Sequence, residues 1–119
     1  MKWQVLAITL SLIGVVELSA QSDYYERQAR SHQNDAAYYV KQAQGYDRDA
    51  EFYMREAASH LRDAEYYQRQ KQFEQARGSL GKARNAMEKA DDSKQKAGNA
   101  RDRAKSYLIR AEDALQKVK

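Results

Sequence analysis

The 119-residue chain contains no cysteine and no proline, only five glycines, two phenylalanines and one tryptophan. Without cysteine there can be no disulfide staple and no thiolate ligand, so any fold must hold by packing alone. Without proline nothing obliges a helix to stop. Large aliphatic side chains are scarce after residue 20, below the roughly 20% expected of a globular core, and by composition alone such a chain tends toward disorder. Asn34, Asn85 and Asn99 each lack the serine or threonine that N-glycosylation requires.

The chain is instead rich in a repeat. Tyr24-Tyr25, Tyr38-Tyr39, Phe52-Tyr53 and Tyr66-Tyr67 recur every 14 residues, each with a base three residues after its first aromatic: Arg27, Lys41, Arg55 and Arg69. Fourteen is two heptads, which returns a side chain to the same face of an α-helix. One seam position then carries Ala29, Ala36, Ala43, Ala50, Ala57 and Ala64; the other carries Tyr25, His32, Tyr39, Tyr46, Tyr53, His60 and Tyr67. Abundant Ala, Gln, Glu, Lys and Arg favour helix throughout, and Asp23 with Glu26 has the form of a capping box. The spacing changes at Lys71. A second alanine series follows at Ala76, Ala83, Ala90, Ala97, Ala104 and Ala111, flanked by Leu80, Met87, Lys94, Arg101, Leu108 and Leu115. Two bases interrupt that flank, which makes the second helix the weaker one.

Residues 1–20 read as a secretory signal peptide: Lys2, a largely apolar run from Val5 to Val16, and small residues at Ser19-Ala20. Cleavage after Ala20 or after Ser22 both fit. The expected fold is all-α: a long antiparallel helical hairpin, coiled-coil-like, with an alanine-tyrosine seam. Its first helix covers residues 21–77, the turn residues 78–81, and the second helix residues 82–119. Gly78 and Gly81 mark the turn, since no other place has two glycines so close. One continuous helix is the alternative. The halves carry opposite charge: Gln21 to Gln75 has 8 bases and 10 acids, Ala76 to Lys119 has 12 bases and 6 acids, as suits two helices that fold on each other. With that turn the first helix outruns the second by about 24 Å, leaving Asp23 to Tyr38 uncovered.

No catalytic, cofactor-binding or metal-binding constellation is expected. His32 and His60 lie 28 residues apart on one helix, about 42 Å if it is straight, too far to share an ion. No glycine-rich phosphate loop or nucleophile elbow occurs. The basic second half carries its bases among acids, with most aromatics elsewhere, so nucleic acid is not an expected partner. The expectation is a small, secreted, non-enzymatic protein acting by self-association or by binding another secreted helical protein. Its contact surface comprises Tyr24, Tyr25, Ala29, His32, Ala36 and Tyr38 in the overhang, with Tyr39, Phe52, Tyr53, Tyr66 and Tyr67 beyond it. Weak contact with a lipid or membrane surface through a basic amphipathic helix is the competing expectation.

Overall fold

In a computed structural model, which describes residues 2–118, with side chains from residue 20 onward, the chain forms two helices, α1 (Lys2–Arg69) and α2 (Phe73–Gln116), with no strand among the described residues. The architecture is the antiparallel helical hairpin. The side chains of the expected leader, apart from that of Ala20, lie outside what the structure describes. Helix is already present at Ala20, so Asp23 sits inside α1 and does not cap it; Arg27 Nε donates to the Asp23 carbonyl oxygen at 3.4 Å.

The chain reverses eight residues earlier than the glycines suggest, at Gln70–Gln72, and Gly78 and Gly81 lie inside α2. Lys71 adopts φ 57°, the left-handed conformation that ends many helices. Two hydrogen bonds close the turn: Lys71 N–H donates to the Gln68 carbonyl at 3.0 Å and Gln72 N–H to the Tyr67 carbonyl at 2.8 Å. This is the paired capping pattern that glycine usually supplies. Gln72 then starts the next helix, its carbonyl accepting from Ala76 N–H at 3.0 Å. A lysine can occupy the left-handed region at a cost of about 1–2 kcal/mol, which is why the turn carries no glycine signal in the sequence.

The hairpin comprises two compact units, one containing Tyr39–Asp102 with the turn, the other the α1 residues up to Tyr38 and the α2 residues from Arg103. In both, every described buried apolar residue is alanine. On α2 the buried positions are Ala76, Ser79, Ala83, Ala86, Ala90, Ser93, Ala97, Ala100, Ala104, Ala111 and Ala114, stepping by alternate threes and fours as a heptad seam does, save for one step of seven across the half-buried Tyr107. The second seam position is thus the residue before the expected flank. Lys94 and Arg101 do not interrupt it, and the α2 seam consists of alanine and serine at every position except Tyr107.

α1 differs. Its seam alanines are buried, at 1–3% exposure, while Tyr25, His32, Tyr39, Tyr46, Tyr53, His60 and Tyr67 are half-buried. Small α2 residues let the backbones approach to the low end of the usual 8–10 Å interaxial distance, and the α1 rings cover the resulting groove. Each alanine methyl contributes only about 0.8 kcal/mol of transfer free energy, so the amphipathic rings supply much of the area removed from water.

A Cβ placed at Gly78 or Gly81 meets nothing within 4 Å. Gly78→Ala and Gly81→Ala are therefore expected to raise stability by about 0.5–1 kcal/mol each, and Lys71→Gly by roughly 1 kcal/mol, in thermal denaturation followed by circular dichroism. A turn at the glycines would give the opposite signs. Ala97, at 0% exposure, has no room to grow; Ala97→Leu is expected to cost about 1–3 kcal/mol by overpacking, a loss of melting temperature that an exposed alanine would not show.

Candidate interaction surface

The expected contact residues separate into three environments. Ala29 and Ala36 are 1% and 2% exposed and belong to the seam. Tyr25, His32, Tyr39, Tyr53 and Tyr67 are half-buried over it. Tyr24, Tyr38, Phe52 and Tyr66 face outward at 50–57% exposure. The uncovered overhang expected from Asp23 to Tyr38 does not form. Because the chain turns at Gln70–Gln72, α2 is long enough to run alongside it: Lys117 Nζ lies 5.6 Å from the Tyr25 ring centre, and the His32 and Tyr107 rings are 6.1 Å apart.

Cations from α2 complete the cover over the seam rings. Lys82, Lys89, Lys96, Arg103, Arg110 and Lys117 recur every seventh residue, on one edge of the seam. Lys89 Nζ sits 5.7 Å from the Tyr53 ring centre, matching Lys117 over Tyr25, and Arg110 lies 4.9 Å from the Tyr107 ring. Contacts of this kind contribute about 0.5–1 kcal/mol each at exposed sites, and the lysine stems shield the ring edges from water. A hydrogen bond to Asp92, reinforced by its charge, raises the Lys96 pKa above its ordinary value while desolvation opposes it.

The His32 layer is the exception in what α2 presents. Elsewhere on the second seam α2 presents alanine or serine, but beside His32 it presents Tyr107, with the two rings inclined at 30°. The smaller α1 ring meets the one large α2 side chain of that seam. The His32 Nδ1 is buried there without a hydrogen-bond partner, a cost of roughly 1–3 kcal/mol that the ring contact offsets only in part. Periodicity had not singled out Tyr107, since the flank assigned to α2 was displaced by one residue; its place midway between Ala104 and Ala111 was the available signal.

The outer aromatics recur along α1, and Tyr24, Phe52 and Tyr66 each lean edge-on against the seam neighbour. Tyr24 and Tyr25 have ring centres 5.3 Å apart at 73°, Phe52 and Tyr53 5.5 Å at 68°, Tyr66 and Tyr67 5.5 Å at 66°. Such edge-to-face pairs are worth about 0.5–1.5 kcal/mol beyond area burial, so the exposed rings are braced by the interior ones. Gln28 Nε2 donates to the Tyr24 hydroxyl at 3.3 Å. A row of braced aromatics can bury rigid apolar area against a partner at low entropic cost.

Small-molecule chemistry has less to work with. A shallow groove of about 260 Å³ runs between Tyr24, Tyr25, His32, Arg110 and Lys117, below the roughly 300–1,000 Å³ of typical ligand pockets. Among the described residues no group of three or more His, Asp or Glu could hold a metal ion, and no helix is long and apolar enough to cross a membrane.

The ring-size compensation is testable as a double-mutant cycle. His32→Tyr should overpack against Tyr107 and Tyr107→Ala should leave a cavity, each costing about 1–3 kcal/mol. Combined, they recreate the tyrosine-on-alanine layer found elsewhere, and the double variant should melt above at least one single variant; strictly additive losses would refute the pairing. Compared with known proteins, the chain matches no family model, no curated protein and no solved structure.

Proposed function

We propose that this is a small, secreted, non-enzymatic helical protein that works by association with protein partners through the outer aromatic stripe of α1. The observation that carries this reading is that stripe: Tyr24, Tyr38, Phe52 and Tyr66, half-exposed at a constant 14-residue spacing. A repeating row of half-exposed rings is more apolar surface than the alanine seam requires, and exposed apolar rows of this kind mark contact sites. Secretion follows from the character of residues 1–20, with a processed chain beginning after Ala20 or Ser22. Mass spectrometry of protein recovered outside the producing cell should show loss of residues 1–20 or 1–22; the intact mass would refute it.

A lipid surface is the second reading, favoured by Leu108, Ile109 and Leu115, which are 47–56% exposed on the more basic helix. Circular dichroism with and without anionic vesicles separates the two. Helix fully formed in buffer and unchanged by vesicles is the outcome expected for a protein-binding hairpin, whereas helix that appears only with vesicles supports the lipid reading. In the folded protein, Phe52→Ser with Tyr66→Ser should abolish partner capture while retaining the helical signal. Retained capture would move the contact off the stripe.

A further inference from the structure

Within the unit Tyr39–Asp102, one edge of the hairpin is aliphatic. Asp47 and Arg101 occupy equivalent heptad positions on α1 and α2, and their bidentate pair, at 2.7 Å and 3.4 Å, shows that these positions share an edge. Counting by sevens from Asp47 gives Val40, Met54 and Leu61; counting back from Arg101 gives Lys94, Met87 and Leu80. Val40, Leu61, Leu80 and Met87 are 41–48% exposed, and Met54 is half-buried. In a unit whose core is alanine and serine, its larger aliphatic side chains are thus gathered on an outer edge, where the seam does not use them.

We infer that this edge pairs with the same edge of a second copy, making a four-helix bundle about a two-fold axis parallel to the helices. The charges select both the partner and the orientation. With the axis along the helices, α1 of each copy lies beside α2 of the other. Asp47 is then level with Lys94, Met54 with Met87, and Leu61 with Leu80 of the second copy, because each pair has the same offset from the turn. Lys94 makes no ion pair among the described residues; in the dimer it meets Asp47 from the other chain. A perpendicular axis through the middle of the edge would instead set Asp47 against Met54 and Lys94 against Met87, leaving neither charge an opposite partner across the interface. The hydrogen bond to Asp47, with its charge, raises the Arg101 pKa above its ordinary value.

The area is adequate. From Val40 to Leu61 the edge runs about 32 Å at 1.5 Å per residue, and two helices side by side are roughly 16 Å wide. That gives roughly 500 Å² per copy, near the 1,000 Å² total that a specific interface needs. The inference rests on the reading that the protein acts through its helical faces, but it uses a different face from the aromatic stripe.

Sedimentation velocity on the protein as its host processes it, from low to several hundred micromolar, should show a monomer–dimer equilibrium. Leu61→Glu and Met87→Glu, both at exposed positions that spare the seam, should each weaken it about tenfold or more with unchanged helicity. A chain carrying Leu61→Cys mixed with one carrying Leu80→Cys should form a disulfide between chains faster than either alone, since the native protein has no cysteine to compete. A monomer throughout the range, a dimer indifferent to both glutamates, or no preference for the mixed disulfide would each overturn the pairing. None of these results touches capture through the stripe, which Phe52→Ser with Tyr66→Ser reads separately.

Discussion

The close approach of two backbones along alanine is the constraint on which the other features depend. An alanine seam removes little apolar area per residue, so it cannot hold a hairpin by transfer free energy alone. Its value is geometric. With nothing larger than a methyl or a serine hydroxyl on most of the α2 seam, the helices come near enough for α1 rings to span the groove, and for α2 lysines to reach those rings at 5.6–5.7 Å. Small residues, large rings and long cations act as successive layers, each placed by the one beneath.

This layering explains why composition and periodicity point in different directions. By composition the chain lacks a core. By periodicity it has one, spread thinly along two helices and completed by tyrosines whose hydroxyls remain near water. The surface is accordingly rich in groups that a globular domain would bury. The outer aromatics and the Val40–Leu61–Leu80–Met87 edge are exposed because the interior has no space for anything larger than alanine, and that leaves them for contacts outside the chain.

Much of the fold was legible because alanine every seventh residue has few explanations other than a close helix seam, and both series fall where the sequence places them. The turn was hidden because Lys71 takes a conformation that glycine normally signals, while Gly78 and Gly81 sit in helix without structural need. The loss of alanine at residue 71 was the truer mark of the reversal. That one displacement lengthened the first helix, shortened the second, and created an overhang at Tyr25, His32 and Ala36 that the structure fills with α2. The outward aromatics were legible from the 100° offset between neighbours on a helix. The aliphatic edge was not, since it depends on knowing which flank of α2 meets which flank of α1, and only the Asp47–Arg101 contact shows that.

A seam made of one residue repeated every seven has a weakness of its own: sliding one helix by a heptad superimposes alanine on alanine and leaves most layers unchanged. Tyr107 removes that degeneracy. Slid one heptad either way it would meet Tyr25 or Tyr39, and of these three layers only that of His32 holds a ring small enough to accommodate it; the other histidine layer, His60, lies four heptads away. The histidine with its unsatisfied nitrogen and the single tyrosine of the α2 seam thus work as a key in an otherwise featureless zip, exchanging some stability in one layer for a single alignment of the two helices.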